Sequence, residues 1–197
     1  MTAQQAADLH RAFLGDLTTR LTTGSFDLIL AWALEPDEEI PETDHRSVRQ
    51  RGGDLGERLF ETLAEAARGY RRVGAVGSDH PELDVEEIER GFALLEGGVD
   101  IVLGPATDGG YYFLGARAES LRRGLFTNVE WSTARVLEET LERCREENLS
   151  VMLLRESSDV DTPADLERLA RRLGDPADAL SASCPETLAL LRQWGAA

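Results

Sequence analysis

The chain contains no lysine. All 21 positively charged residues are arginines, set against 37 acidic residues, so that the 197-residue chain has a formal net charge of −16. The absence of lysine excludes enzymes built on a Walker lysine, a Schiff-base lysine or a protein-kinase lysine. The acidic balance argues against binding to nucleic acid or to an anionic membrane surface, because both require positive charge that neutralises phosphates. It is compatible with an enzyme that holds phosphate through a divalent cation, since acidic side chains are the ligands of such an ion.

Cysteine and long apolar runs are scarce as well. The two cysteines, Cys144 and Cys184, lack the spacing of metal ligands, so the sequence supports neither a disulfide framework nor a zinc site. The longest apolar run, Leu28–Leu34, is far shorter than the roughly 20 residues that span a bilayer. The N-terminus lacks the apolar region of a signal peptide, because Asp8 and Arg11 interrupt it. We therefore expect a soluble, cytoplasmic protein.

Short apolar segments alternate with longer amphipathic ones along the chain. The apolar segments predict strands over 26–33, 72–76, 100–103, 111–114 and 151–154. The amphipathic segments predict helices over 3–19, 56–70, 85–96, 132–147, 163–173 and 185–194. Such alternation predicts an α/β sandwich with a mostly parallel sheet. Because no repeat or linker divides the chain, we predict one domain over 1–197, with a core at about 6–173 and a helical extension at 174–197.

Three local features complete this prediction. The polar segment Asp37–Arg51 has no clear periodicity, which predicts a long surface loop. Helix starts are predicted at Ser132-Thr133 and at Asp161-Thr162-Pro163. A sheet of this kind normally begins with a strand and a glycine-rich turn, whereas this chain begins with a helix, so a first strand is expected to be missing. Pairing with a second copy of the chain would cover the apolar edge that such a loss exposes.

Asp79 is the first candidate functional residue. It lies in the segment GSDHP (77–81), directly after the predicted strand 72–76. Ligands of open α/β sheets bind at the carboxyl ends of strands, so a catalytic or metal-binding carboxylate belongs there. An aspartate at this position could equally cap the following helix, and spacing alone leaves both interpretations open. We expect the neighbouring His80 to pack or hydrogen-bond locally.

Two further segments carry candidate carboxylates. Asp108 could orient a sugar hydroxyl or a phosphate-bound metal, although Asp108-Gly109 between two strands favours a hairpin turn on local grounds. Asp159 and Asp161, two positions apart around Val160, should point the same way, as metal ligands often must. A helix N-cap is the alternative for this segment, and both can hold together. A divalent ion between Asp79 and Asp161 requires that the two strand ends be neighbours.

Five segments, taken in order, resemble one known family. They are QRGGDLGERL (50–59), GSDHP (77–81), GPATDGGYYFLG (104–115), LFTNVEWST (125–133) and DVDTPADL (159–166). They closely resemble the bacterial radical-SAM/selenodomain-associated glycosyltransferases, a GT-A-fold family long known only as a domain of unknown function. The wider superfamily is that of the nucleotide-diphospho-sugar transferases. The resemblance extends from about Ala6 to Leu173.

The resemblance implies a fold and a reaction. The implied fold is the Rossmann-like GT-A three-layer α/β sandwich with a mostly parallel mixed sheet. The implied activity is transfer from a nucleotide sugar to an unknown acceptor with Mg²⁺ or Mn²⁺ as cofactor. Alternatives are a nucleotidyltransferase that uses an NTP, and a non-catalytic relative that binds a nucleotide or a partner.

The resemblance also implies roles for individual residues. Asp79 and Asp161 are implied to bind the metal, and Asp79 and Asp108 to be the catalytic carboxylates. The residues implied to bind the nucleotide are Gln50, Leu55, Gly56 and Ser78. Those implied to bind the sugar or the acceptor are Gly109, Gly110, Tyr111, Glu130 and Trp131, although Trp131 could instead be a core aromatic residue at a helix start.

One departure from the family pattern affects the expected activity. Family members begin with a strand and a segment of the type AKxPxxGxxKTRL, whose basic residues face the phosphates, and Met1 corresponds to a point just beyond it. The absence of lysine is consistent with that loss. If the chain is complete, we expect weak or absent transferase activity.

Overall fold

The computed structural model describes residues 1–196, which divide into two compact units. Unit 1 comprises, of these residues, Met1–Gly24, Gly77–Val85 and 157–196, and unit 2 comprises Ser25–Val76 and Glu86–Glu156. The single domain expected from the sequence stays a prediction.

The elements follow one another along the chain much as the sequence indicates. In chain order they are α1 (Ala3–Leu21), β1 (Ile29–Trp32), β2 (Arg46–Arg49), α2 (Leu55–Ala66), β3 (Arg72–Val76), α3 (Val85–Glu96), β4 (Ile101–Pro105), β5 (Tyr111–Arg117), α4 (Val136–Glu146), β6 (Val151–Leu153), α5 (Pro163–Gly174), α6 (Leu180–Ser183) and α7 (Pro185–Gln193). Two short 3₁₀ helices, Ala118–Ser120 and Arg123–Phe126, lie between β5 and α4. Within residues 1–196, no helix has both the length and the apolar character needed to cross a membrane.

Unit 1 is helical. Its core contains Leu9 and Phe13 of α1, which share one apolar cluster with Leu169 of α5 and Leu191 of α7. The carboxylate of Asp16, only 2% exposed, accepts hydrogen bonds from the backbone N–H groups of the first turn of α7. Because these N–H groups lack partners within the helix, Asp16 fixes α7 against α1. The C-terminal helices thus form part of the core of this unit.

Unit 2 contains a mixed sheet. The four-stranded part has the order β3-β5-β4-β6, in which β5 runs antiparallel to both of its neighbours and β4 and β6 are parallel. A separate parallel pair is formed by β1 and β2. Three of the four strands in the larger sheet therefore share one direction, and the mostly parallel mixed sheet expected from the sequence is confirmed.

Helices cover both faces of the larger sheet. On one face, Leu63 of α2 and Cys144 of α4 belong to the same buried cluster as Ile101 and Leu114 of the sheet. On the other face, Phe92 of α3 contacts the Phe113 ring edge-on, with 6.0 Å between ring centroids. Unit 2 therefore has the three-layer arrangement that the family resemblance implies.

Two of the expectations about local structure are wrong. The segment 37–51 is not a continuous loop, because Arg46–Arg49 forms β2, whose sequence RSVR has too little apolar character to mark a strand. Its pairing with β1 comes from backbone hydrogen bonds. The helix predicted at 132–147 begins only at Val136, since Ser132 has a φ of 63°, in the left-handed region, and cannot belong to it.

Candidate active site

Two loop segments of unit 1 carry the predicted carboxylates. The segment 77–85 follows β3 along the chain, and the segment 157–162 lies between β6 and α5. The backbone N–H of Val160 donates to the backbone carbonyl of Asp79 across 3.3 Å. This bond places Asp79 beside the segment that holds Asp161. The strand ends themselves are not neighbours, because β5 and β4 lie between β3 and β6 in the sheet, so it is the loops after these strands that come together.

Asp159 and Asp161 lie on the same side of their segment. Each offers a carboxylate oxygen, and these two oxygens lie within 4.8 Å of one another. The orientation expected from their i, i+2 spacing is therefore confirmed. Of this pair, the resemblance implied only Asp161 as a metal ligand, whereas the i, i+2 spacing had marked Asp159 as well.

The N-terminus of α5 fixes the position of this segment. Thr162 is the N-cap and forms a capping box with Asp165, and Pro163 follows it in the first turn. The Arg168 guanidinium donates to the Ser158 hydroxyl at 3.0 Å and to the Asp159 carbonyl at 3.3 Å. The helix cap predicted here is confirmed, and it coexists with the paired aspartates.

Asp79 is exposed, and its carboxylate lies over Gly77. The Asp79 Oδ1 lies 2.6 Å from the point that a side-chain Cβ would occupy at Gly77, which is too close for any other residue without movement. Since α3 begins only at Val85, its N-cap position is residue 84, and Asp79 is five residues too early to cap that helix. Of the two interpretations that the sequence left open, the structure thus removes capping, and the ligand role stays a prediction.

Arginine and histidine side chains hold the rest of this loop. Arg20 of α1 donates to the carbonyl oxygens of Pro81 and Leu83, at 2.7 and 2.8 Å. His80 is 1% exposed, its Nε2 lies 2.8 Å from the Ser157 hydroxyl, and burial lowers its pKa to about 4. His80 is therefore a neutral, locally bonded residue at neutral pH, as the sequence indicates.

Ser78 has a partner that sequence reasoning missed. Its hydroxyl oxygen lies 2.9 Å from Nε2 of His10, an exposed residue of α1. The two residues are far apart in the sequence, and nothing in the pattern of the sequence signals the pair. Whether the hydroxyl of Ser78, a residue implied to bind the nucleotide, donates or accepts in this pair therefore depends on the tautomer of His10.

Unit 2 carries the second group of predicted residues, and in it Asp108 and the glycine pair form a hairpin turn. Gly109 has a φ of 92°, and the Gly110 N–H donates to the Asp108 carboxylate at 2.8 Å. The hairpin between β4 and β5 is thus confirmed, and the functional role of exposed Asp108 stays a prediction. A Cβ at Gly109 would overlap the Ala134 carbonyl, so the turn lies directly against the loop before α4.

That loop contains Trp131 and strained backbone on either side of it. Asn128 and Ser132 both have positive φ, 57° and 63°. The Trp131 ring stacks on Phe126 at an interplanar angle of 16°, and its indole nitrogen would overlap a Cβ added at Gly56, near the start of α2. Two predicted site residues, Gly56 and Trp131, are therefore neighbours. Strained backbone of this kind is commonest at functional sites.

The remaining predicted residues of unit 2 differ in how accessible they are. The Gln50 side-chain amide donates to the Ala31 carbonyl at 3.0 Å, and the Gln50 backbone N–H extends the pairing of β1 and β2 through a bond to the Trp32 carbonyl at 2.8 Å. Leu55, the first residue of α2, is 45% exposed. Glu130 is exposed and pairs with Arg135, whereas the Tyr111 hydroxyl is buried and burial raises its pKa. A substrate could therefore reach Leu55 and Glu130 directly, but not the Tyr111 hydroxyl.

The comparison with family models identifies one family. The model described as "Uncharacterized protein conserved in bacteria (DUF2064)" matches residues 16–133, more than half of the chain. No curated protein matches the chain significantly.

Two of the solved structures that are similar to this one show how far the likeness extends. One is a crystal structure from Desulfovibrio desulfuricans G20 of a protein provisionally named a nucleotide-diphospho-sugar transferase. It is 33% identical, the alignment covers 97% of this chain and 87% of that chain, and the TM-score is 0.83. The other is CMP:2-keto-3-deoxy-manno-octonic acid synthetase in complex with CTP, 13% identical, with 80% and 85% of the chains covered and a TM-score of 0.55, a likeness of fold alone. The chain therefore belongs to the DUF2064 family and has the α/β fold of a nucleotide-diphospho-sugar transferase.

Proposed function

We propose that this chain is a metal-dependent transferase whose donor is a nucleotide-linked sugar. The observation that carries the proposal is the bond from Val160 to Asp79, which brings two carboxylate-bearing segments of unit 1 together. The provisional name of the 33% identical D. desulfuricans protein supports it. The narrower assignment to the radical-SAM/selenodomain-associated glycosyltransferases is part of the same proposal and rests on the five sequence segments.

The carboxylates of unit 1 suit a hard divalent cation. Asp159 and Asp161 present oxygens within 4.8 Å of one another, and exposed Asp79 lies on the neighbouring segment. Mg²⁺ and Mn²⁺ prefer such oxygen ligands, and Mg²⁺ keeps several waters besides one or two protein carboxylates. We therefore propose that Asp79 and Asp161 hold the ion, with Asp159 beside them. When bound, such an ion neutralises the charge that develops on a departing diphosphate.

The residues of unit 2 are proposed to contact the base, the sugar and the acceptor. With its Nε2 engaged by Ala31, Gln50 would read the base through Oε1, an acceptor, together with the backbone at Leu55 and Gly56. Asp108 would accept a hydrogen bond from a sugar hydroxyl, and the glycine pair after it lets the substrate approach the backbone. Glu130 and the Trp131 ring would border the acceptor.

The proposed reaction breaks the bond between the anomeric carbon and the diphosphate oxygen. A new bond forms from that carbon to an acceptor oxygen, the acceptor loses a proton, and the nucleoside diphosphate departs with the electron pair. A nucleotidyltransferase would instead join an NTP to an acceptor and release pyrophosphate. The CTP complex of the structurally similar synthetase makes this the second candidate.

The products distinguish the two candidates. The purified chain is incubated with UDP-, GDP- and CDP-sugars, and separately with NTPs, in the presence of Mg²⁺ or Mn²⁺ and a panel of acceptors. Release of nucleoside diphosphate that Asp79→Asn abolishes is expected, with Asp8→Asn as the control because Asp8 bonds to Gln4 and Arg11 of its own helix. Release of pyrophosphate from an NTP would establish the second candidate instead. Pairing with a second copy of the chain remains a separate proposal, which sedimentation would test.

A further inference from the structure

We propose that His10 is a positioning residue of the donor site, which holds the Ser78 hydroxyl so that its proton is donated to a phosphate oxygen of the donor. The inference rests on the proposed function and adds to it a residue of α1 that no sequence motif marks. The observation behind it is the distance of 2.9 Å between Nε2 of His10 and the hydroxyl oxygen of Ser78.

The chain has few side chains that could bind phosphate beside Asp79. It contains no lysine. Among the described residues of unit 1, the arginines that contact the two carboxylate segments are already bound by protein oxygens. Arg20 donates to the carbonyls of Pro81 and Leu83, Arg168 to Ser158 and to the Asp159 carbonyl, and Arg172 to Glu82. Next to Asp79, a hydroxyl donor is therefore the group best placed to reach a phosphate.

The direction of that donor depends on the histidine. A serine hydroxyl has one proton, and it either donates that proton to His10 or accepts a proton from it. If Nε2 of His10 carries the hydrogen, it donates to the Ser78 oxygen, and the Ser78 proton is left for an anion. If Nε2 carries no hydrogen, the Ser78 hydroxyl donates to it, and no proton is left for a phosphate. In the donor-bound state, therefore, Nε2 of His10 carries the hydrogen and donates to the Ser78 oxygen.

Packing and hydrogen bonds fix both α1 and the loop that carries Ser78. Leu9 and Phe13, which are close to His10 on α1, lie in the core of unit 1 and fix this part of the helix. Arg20, ten residues after His10 and about 15 Å further along the helix, ties α1 to the same loop at Pro81 and Leu83. The loop is thus attached to α1 at two separate points, so that a side chain at position 10 controls Ser78 without needing to move the backbone.

A double-mutant cycle tests the inference. Binding of UDP, CDP and GDP, and of inorganic pyrophosphate as a probe without a base, is measured by calorimetry in the presence of Mg²⁺. The variants are His10→Phe, His10→Gln, Ser78→Ala and the double variant His10→Phe/Ser78→Ala. The matched control is His45→Phe, a substitution at a half-buried histidine in a bend of unit 2, and thermal melts establish that each variant is folded.

In His10→Phe nothing holds the Ser78 proton towards the phosphate. Because a hydrogen bond to a charged group is a strong one, we expect its loss to weaken nucleotide and pyrophosphate binding about tenfold. His10→Gln, whose amide keeps an N–H donor, should retain most of the affinity. In the Ser78→Ala background, His10→Phe should have no further effect, which a purely structural role would not produce. If His10→Phe binds the nucleotides and pyrophosphate as tightly as wild type, this inference is wrong. It is also wrong if His10→Phe weakens binding as much in the Ser78→Ala background as in wild type, and neither result affects the proposed function. Absence of metal-dependent binding by the wild-type chain would overturn the proposed function with it.

Discussion

The backbone N–H of Val160 bonds to the backbone carbonyl of Asp79, although the two residues lie on segments far apart in the sequence. Each segment follows a strand along the chain, one after β3 and the other after β6. The bond therefore joins the two carboxylate-bearing segments of unit 1. It makes a shared ion between Asp79 and Asp161 chemically reasonable, and this is the basis of the proposed function.

Gly109→Ala should destabilise the protein more than Gly98→Ala. Both glycines have positive φ, 92° and 104°, so an alanine at either position costs about 1–2 kcal/mol in backbone strain. A Cβ at Gly109 would in addition overlap the Ala134 carbonyl, whereas a Cβ at Gly98 meets nothing within 4 Å. Urea unfolding measures both losses. Equal losses would show that the turn does not press against the loop before α4.

Gly56→Ala should disturb the surroundings of Trp131. The added methyl group would meet the indole nitrogen of Trp131 and the Phe126 carbonyl, and overpacking of this kind costs about 1–3 kcal/mol. That cost exceeds the roughly 1 kcal/mol that alanine gains over glycine in a helix. Near-ultraviolet circular dichroism and urea unfolding would detect the change. Gly53→Ala is the control, because its Cβ makes only an ordinary contact, at 3.5 Å, and an equal disturbance in this variant would count against the packing described.

The contribution of Asp165 to stability should depend on acid pH. Hydrogen bonds from Thr162, followed by those from Arg168, lower the pKa of Asp165 from 3.8 to about 2. Since the folded-state pKa is the lower one, the contribution is complete above pH 3.8 and is lost as the pH falls towards about 2. Asp165→Asn is neutral at every pH. The stability difference between wild type and this variant, from denaturant melts, should shrink in that interval, and a constant difference would contradict the role of the charge.

Both thiols should be unreactive in the native protein. Cys144 and Cys184 are each 0% exposed, and burial raises the pKa of both to about 11. At mildly alkaline pH the fraction of reactive thiolate is therefore small. A disulfide-exchange reagent should titrate both thiols in denaturant and react only very slowly without it. Rapid reaction of the native chain would contradict the packing of α4 or of the segment before α7.

Most of the fold could be predicted from hydrophobic patterning, and the failures have local causes. The strand at 72–76 and the helix at 85–96 were predicted with the bounds that the structure has. The sequence did not predict β2, because RSVR carries one apolar residue and the pairing of this strand with β1 depends on backbone hydrogen bonds. The start of α4 was misplaced, since Ser132 looks like a helix cap in the sequence but has a positive φ.

The candidate site could be predicted only in part, because its residues meet through the tertiary structure. The i, i+2 spacing was enough to align Asp159 with Asp161. No pattern in the sequence could bring Val160 to Asp79, or His10 to Ser78, since these contacts depend on how the loops and α1 pack in unit 1. The roles implied for Gln50, Asp108 and Trp131 stay predictions that binding experiments must decide.

The most direct measurement is calorimetric titration of the purified chain with UDP, GDP and CDP, each with and without Mn²⁺. Wild type is compared with Asp79→Asn and Asp161→Asn, and with Asp8→Asn as a control for the loss of one charge. We expect one of the nucleotides to bind only with the metal, and each site variant to weaken that binding by about tenfold or more, as loss of a charged ligand implies. Metal-independent binding, or wild-type affinity in both site variants, would contradict the proposal that these carboxylates hold the ion.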